Sequence, residues 1–220
     1  MQIPFYANTK DNTRCVQACL RMLFSVLAPR RIATWNNLDK ATDHRPGKWT
    51  WDIDALLAIK HVINDAKIIY VDSFDHKRFA KKGVKYLEDI WFVSVFREQQ
   101  RHADLPRVQK KTRLLFNTKS DRFRFLHREP RLQDVLQLWS QGYFLIVTLN
   151  AMELGDRGGV AYHAVVVTGA TPSGIIVHDP GLPPRPSRRI NRKTFSRAMR
   201  PGSIIAVQVG RKTLNASETD

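Results

Sequence analysis

Three residues in this sequence have the side chains needed for acyl transfer through a covalent intermediate. Cys15 carries a thiol, His163 an imidazole and Asp179 a carboxylate. A thiol becomes a strong nucleophile when a neighbouring imidazole takes its proton, and a carboxylate can hold that imidazole in one tautomer and orientation. Because the cysteine lies far from the other two along the chain, this chemistry requires a fold that brings the N-terminal segment to them.

A β-hairpin is predicted to position the imidazole and the carboxylate. The segments 163–169 and 174–180 are apolar and rich in β-branched residues, and turn-forming residues lie between them. Pairing Thr168 with Gly174 across the turn places the imidazole opposite the carboxylate, and directly opposed side chains share one face of a sheet. A slip of one residue would turn Asp179 to the other face, where the adjacent His178 is expected to play a structural role.

A helix is predicted to carry the thiol in its first turn. Apolar residues repeat at helical spacing over 15–27 and the run ends before Pro29. Three residues of helix-capping type precede it: Asp11, Asn12 and Thr13. A helix N-terminus favours a thiolate through its partial positive charge and unpaired amides, and Arg14 adds a further positive charge. The alternative is that Cys15 and Cys19 are two small core residues on one face of this helix.

These segments together resemble the C39-like cysteine peptidases of bacteria and archaea. The resemblance covers most of positions 3–200, and its matching segments are 3–23, 49–57, 131–149, 163–169 and 178–184. It implies an α+β, papain-like fold in which an N-terminal helical part with the cysteine helix packs on a C-terminal antiparallel sheet. It also implies Cys15 as nucleophile, His163 as general base and acid, and Asp179 as the residue that orients the histidine.

Two positions depart from the pattern of that family. A glutamine that donates to the oxyanion commonly lies about six residues before the nucleophile, and the nearest equivalent here is Asn8, seven residues before Cys15. A glycine commonly follows the nucleophile, and this chain has Val16. Loss of one oxyanion donor typically costs on the order of 10²–10³ in rate. Three interpretations therefore stay open: a peptidase acting on a peptide or protein, a papain-fold acyltransferase, and a degenerate domain that binds peptide or polyanion without turnover.

Four further residues are candidates for lining a substrate cleft. They are Trp49, Trp51, Gly158 and Gly159. Aromatic residues at a helix start more often belong to a core, and glycine-rich loops precede many hairpins. No cofactor is expected. A metal site built from Cys15, Cys19, His163 and Asp179 is chemically conceivable, but these residues lack the paired spacing typical of metal ligands.

Composition adds one unusual property, a formal net charge of +16. Basic residues concentrate in 97–131 and 185–212, which predicts non-specific contact with polyanions as a secondary property. A nucleic-acid-binding protein is a further hypothesis that rests on this charge alone. No apolar stretch is long enough to span a membrane, the first residues do not resemble a secretory signal, and two cysteines imply no disulfide framework. A cytoplasmic location is the resulting expectation.

The length of 220 residues predicts one domain over 1–212, followed by a disordered tail over 213–220. The basic segment from about 97 to 125 is a candidate insertion or lid over the cleft. Helices are predicted near 52–64, 132–140 and 192–199, and strands near 67–71, 143–150 and 203–210. Residues 84–96 fit a helix or a strand equally well.

Overall fold

Among the described residues, most of the helices precede most of the strands along the sequence. The computed structural model describes residues 2–31, 34–118, 120–155 and 161–210, which form an α+β fold. Its α-helices are α1 (Cys15–Leu27), α2 (Trp35–Thr42), α3 (Asp52–Val62), α4 (His76–Lys82), α5 (Val84–Ile90), α6 (Val93–His102), α7 (Leu105–Asn117), α8 (Leu132–Ser140) and α9 (Arg192–Ala198). Its strands are β1 (Ala66–Asp72), β2 (Phe123–His127), β3 (Phe144–Asn150), β4 (Tyr162–Ala170), β5 (Gly174–Asp179), β6 (Arg185–Asn191) and β7 (Ser203–Val209).

The predicted helices and strands all occur in the structure, with ends that differ by one or two residues. The ambiguous segment 84–96 is helical, because it contains α5 and the start of α6. Apolar periodicity could not decide this, since α5 is only seven residues long and both α5 and α6 leave much of their surface exposed.

The strands form one mixed sheet in the order β2-β1-β7-β3-β4-β5-β6. Every neighbouring pair is antiparallel except β1 and β2, so the C-terminal strands are antiparallel as expected and the sheet as a whole is mixed. The parallel pair arises because four helices, α4 to α7, cross over between these two strands. Within the described residues, no helix combines the length and the apolar character needed to cross a bilayer.

The sheet is buried on both faces, and its central strands are mostly apolar. On β3, Phe144 and Ile146 belong to the core under α1 and α3, whereas Leu145 and Val147 belong to the core under α8 and α9. Alternate residues of a strand face opposite sides, and here each side meets a helical layer. The sheet is therefore the middle of three layers, with α1 packed against β4 on one side.

The predicted insertion, 97–125, contains the end of α6, all of α7 and the start of β2. Helix α7 packs against α3 and α4, and β2 forms the sheet edge beside β1. A buried carboxylate, Asp54 of α3, accepts hydrogen bonds from Lys111 Nζ at 2.7 Å and Arg107 Nη1 at 3.2 Å on α7. The same carboxylate accepts the Trp51 amide at the start of α3, so one side chain secures two helices.

Replacing Asp54 with alanine should cost about 1.5–3 kcal/mol in the free energy of unfolding, because Lys111 and Arg107 lose their buried partner and keep only the more exposed carboxylate of Asp43. Urea denaturation followed by circular dichroism measures this change. Arg45→Ala is the matched control. It removes an ion pair with Asp104 whose arginine side chain is 55% exposed, and should cost under about 1 kcal/mol. Equal losses in the two variants would contradict the role given to Asp54.

Candidate active site

Cys15 is the first residue of α1, as predicted. The N-cap is Arg14, and its side chain makes no capping hydrogen bond. This differs from the expectation that Asp11, Asn12 and Thr13 cap the helix. The amides at the start of α1 are thus left to stabilise negative charge on the Cys15 sulfur or on a group bound beside it.

The loop before α1 is organised around Asn8. Its Oδ1 accepts the amides of Thr9 at 2.8 Å and Arg14 at 2.9 Å, while its Nδ2 donates to Asn12 Oδ1 at 3.0 Å. The Asn8 amide donates to the carbonyl of Pro180 at 2.8 Å, just after β5. Asn8 therefore ties the cysteine helix to the strand that carries the carboxylate. Its predicted role as oxyanion donor stays a prediction, and one N–H of its amide group is engaged by Asn12.

Arg14 does not serve as a free positive charge beside the thiol. Its guanidinium binds Asp39 of α2 through Nε at 3.0 Å and Nη2 at 3.1 Å, and Asp11 through Nη1 at 3.1 Å. Two carboxylates compensate this cation, so the expected contribution of Arg14 to the thiolate is corrected. The side chain instead anchors the N-terminus of α1 to α2.

His163 and Asp179 meet, although the predicted register is wrong. The hairpin pairs Val166 with His178 and Val167 with Val177, which is a shift of two residues from the predicted pairing. A shift of two keeps every side chain on its face, so the imidazole and the carboxylate still share one side of the sheet. They lie diagonally rather than directly opposite, and a β-bulge near the turn accompanies the shift.

Hydrogen bonds link the carboxylate, the imidazole and the thiol in one chain. His163 Nε2 lies 2.6 Å from Asp179 Oδ1, and the imidazole also hydrogen bonds the Cys15 side chain. With Nε2 committed to Asp179, Nδ1 is the ring nitrogen left for the sulfur. The amides of Ala164 and Val16 also donate to the sulfur of Cys15. Cys15 and His163 are partly exposed, whereas Asp179 is buried.

The charges of these three groups support one another. Burial alone would raise the pKa of the Cys15 thiol, but the hydrogen bond and positive charge of His163 outweigh it, so that pKa is lowered. Burial would lower the pKa of His163, yet the hydrogen bonds of Asp179 and Cys15 raise it to about 10. Burial would likewise raise the pKa of Asp179, whereas His163, the Gly181 amide and Arg188 hold it well below its usual range. Both shifts favour the thiolate–imidazolium form of the pair.

Cys19 behaves differently from Cys15. It is fully buried in the core under α1. Burial, together with the negative charges of Cys15 and Asp179, raises its pKa well above the ordinary value for a thiol. The alternative in which both cysteines are core residues is thus correct for Cys19, and Cys15 is the thiol available for reaction.

Two residues of the site were not identified from the sequence. Arg188 on β6 donates from Nη1 to Asp179 Oδ2 at 2.8 Å. Gly181 donates its amide to Asp179 Oδ1 at 3.0 Å, and a Cβ there would lie 3.1 Å from His163 Nε2. Arg188 belongs to the basic segment 185–212, where it could not be distinguished from surface charge. The Asp-Pro-Gly sequence contained the signal for Gly181, but only as part of the resemblance.

His178 is structural, as predicted. Its Nδ1 accepts the Ser187 amide at 3.1 Å, so its Nε2 carries the proton and donates to the Ile3 carbonyl at 2.9 Å. The ring also packs edge-on against Phe5. His178 thus attaches the N-terminal segment to the face of β5 opposite Asp179.

The structure does not bring the predicted cleft tryptophans into the hydrogen-bond chain. Trp51 packs with Phe79 and Trp91 in a small aromatic core, and Trp49 stacks on His102. Gly158 and Gly159 lie outside the described residues. Among the residues that are described, no group of three or more histidine, cysteine or acidic side chains could hold a metal ion.

Comparison with known proteins adds no family assignment. No protein-family model matches the chain, and no curated protein matches it. The functional proposal therefore rests on the residues of the site and their geometry.

Replacing His163 with alanine should raise the pKa of Cys15, because burial of the sulfur remains while the positive charge that offsets it is lost. Thiolate forms above the thiol pKa, so the curve of alkylation rate against pH should move to higher pH. At neutral pH the rate should fall about tenfold or more, since each unit of pKa changes the thiolate fraction about tenfold. Iodoacetamide labelling read by mass spectrometry measures this, and an unchanged curve would contradict the pairing.

Replacing Gly181 with alanine should separate the imidazole from the carboxylate, since the added Cβ would lie 3.0 Å from Asp179 Oδ1. We expect a drop in Cys15 alkylation at neutral pH with little change in thermal stability. Gly210→Ala is the control, because a Cβ there meets no atom within 4 Å. If both variants alkylate like the wild type, Gly181 does not constrain the pair.

Proposed function

We propose that this chain is a cysteine-nucleophile acyl-transfer enzyme, a C39-like peptidase with a papain-like fold that hydrolyses a peptide or amide bond. The observation that carries the proposal is the hydrogen-bond chain from Asp179 through His163 to Cys15. The imidazole and the carboxylate come from the consecutive strands β4 and β5, and the thiol comes from α1, which is distant from them in the sequence. A partly exposed cysteine whose thiol has a lowered pKa and lies beside an imidazole is the arrangement that nucleophilic catalysis requires.

The first half of the reaction starts from the Cys15 thiolate and the His163 imidazolium. The Cys15 thiolate attacks the carbonyl carbon, and a new C–S bond forms while the carbonyl oxygen becomes an oxyanion. His163 then gives its proton to the leaving nitrogen, the C–N bond breaks, and an acyl-enzyme thioester remains. Because the amides at the start of α1 carry no side-chain cap, they are suited to stabilise the oxyanion.

The second half restores the enzyme. Neutral His163 takes a proton from water, the hydroxide attacks the thioester carbon, and the C–S bond breaks to release the acid and the Cys15 thiolate. An amine or thiol in place of water would make the same site an acyltransferase. Throughout, Asp179 keeps the imidazole oriented, because its Oδ1 accepts a hydrogen bond from Nε2–H with the two atoms 2.6 Å apart.

A second candidate function, binding without turnover, is favoured by the surroundings of two residues. Val16 is buried in the core, and the Asn8 side chain holds the loop before α1 through three hydrogen bonds of 3.0 Å or less. Both features serve to position the helix rather than to complete an oxyanion site. A non-catalytic domain of this kind would retain its ligand when the thiol is removed.

Incubation with a library of peptides, followed by mass spectrometry, tests hydrolysis directly. We expect cleavage products from the wild type and none from Cys15→Ala, because the alanine variant lacks the nucleophile. Cys19→Ala is the matched control, since it removes a thiol four residues along the same helix that is buried in the core. Cleavage that survives Cys15→Ala, or absence of both cleavage and acyl-enzyme in the wild type, would contradict the proposal.

The pH dependence of cleavage provides a second prediction. Activity requires the Cys15 thiolate, which is lost as the pH falls through the lowered thiol pKa, and the His163 proton, which is lost as the pH rises through about 10. The profile of kcat/KM should therefore rise through a thiol pKa below the ordinary thiol value and fall again as the pH passes about 10. A profile that falls between pH 7 and 8 would mean that the pair is not ionised in the free protein.

A further inference from the structure

An arginine contacts the carboxylate that orients the candidate base. Arg188 Nη1 donates to Asp179 Oδ2 at 2.8 Å, on the carboxylate oxygen that His163 does not use. Its Nη2 donates to the carbonyl of Leu154 at 3.2 Å. Leu154 ends the short helical turn after β3, in the connection that leads to His163. One guanidinium thus contacts both the carboxylate and the connection between the strands.

The strand register explains why this arginine and not its neighbour reaches the site. On β6, Arg188 pairs with Val177 of β5, and Asp179 follows Val177 by two residues on the same face of β5. A long side chain can span this diagonal. Arg189 pairs with Ile176 and faces the other side of the sheet, where it is exposed. Two adjacent arginines therefore have different surroundings, although the sequence gives no reason to separate them.

We infer that Arg188 is a positioning residue for Asp179. Its positive charge balances the negative charge of the carboxylate, so His163 donates its hydrogen bond to a net-neutral pair rather than to an isolated negative charge. A carboxylate held by three donors keeps one orientation, and its Oδ1 stays directed at the imidazole. The arginine also offsets the negative charge that would otherwise repel the Cys15 thiolate. This role rests on the proposed function, because it concerns the same thiolate–imidazolium pair.

The charge balance gives the inference a definite sign. Without Arg188, the uncompensated Asp179 carboxylate would bind the imidazolium proton more tightly and would raise the pKa of His163. The same uncompensated charge, together with loss of a nearby cation, would disfavour the thiolate and raise the pKa of Cys15. A residue that only stabilised the fold would leave both values unchanged in the folded protein.

The test compares Arg188→Gln with Arg189→Gln, which remove the same charge from adjacent positions of one strand. The readout is the rate of Cys15 alkylation by iodoacetamide against pH, followed by mass spectrometry on the folded full-length chain. Arg188→Gln should move the midpoint upward by about half a unit to one unit, because its charge lies one carboxylate away from the imidazole. Arg189→Gln should leave the midpoint in place. Equal shifts, or no shift in either variant, would overturn the inference.

Two further variants keep the test decisive if Arg188→Gln does not fold. In the double variant Asp179→Asn with Arg188→Gln, both charges are gone and the two amides can still hydrogen bond, so the midpoint should return toward that of the wild type. Arg188→Lys keeps the charge and should restore the midpoint as well. A double variant or a lysine variant with a midpoint as high as that of His163→Ala would refute the net-neutral role.

His163→Ala separates this inference from the proposed function. If His163→Ala leaves the Cys15 midpoint unchanged, no thiolate–imidazolium pair exists and the proposed function fails together with the inference. If His163→Ala raises the midpoint while Arg188→Gln behaves like Arg189→Gln, the proposed function stands and only the role of Arg188 fails.

Discussion

The position of the thiol depends on how the N-terminal segment is attached to β5. The carbonyl of Ile3 accepts a hydrogen bond from His178, and the amide of Asn8 donates to the carbonyl of Pro180. These contacts flank Asp179 in the sequence, so the chain before α1 is held at the same end of the sheet as the carboxylate. Because α1 also packs on β4, the strand of His163, Cys15 is held in place relative to both the imidazole and the carboxylate. Pre-organisation of this kind lets the site form without movement of its backbone.

Burial and charge oppose one another at each member of the site, and charge prevails. Burial acts against the thiolate, the imidazolium and the carboxylate alike, because each is a charged form. Each is nevertheless favoured by the opposite charge beside it, and the four charges from Cys15 to Arg188 alternate in sign. With Cys15 as thiolate and His163 as imidazolium, these four groups together carry no net charge. They can therefore persist in an interior that would exclude any one of them alone.

Short-range patterns in the sequence predicted α1, α3, α8 and α9 and most strands of the sheet, but not α2, the helices between β1 and β2, or the edge strands β2 and β6. Apolar periodicity predicted α1 from its first residue, and alternation along β5 separated the structural His178 from Asp179. The predicted register of the β4–β5 hairpin was wrong by two residues, because a bulge in β4 has no clear sequence signal. A shift by an even number leaves each side chain on the predicted face of the sheet, so His163 and Asp179 still meet. The partners of Arg14 and Arg188 depend on contacts with α2 and β5. Nothing in the local sequence distinguishes an arginine that meets a carboxylate from one that faces solvent.

The two thiols of α1 make the protein its own reporter of conformational opening. Under native conditions a reagent should modify one equivalent of thiol, because Cys19 is fully buried and its pKa is raised. Modification of the second equivalent requires α1 to leave the sheet, so its slow rate measures the free energy of that opening. The reactive centre and the stability of the helix that carries it can thus be followed in one labelling time course, without an added probe.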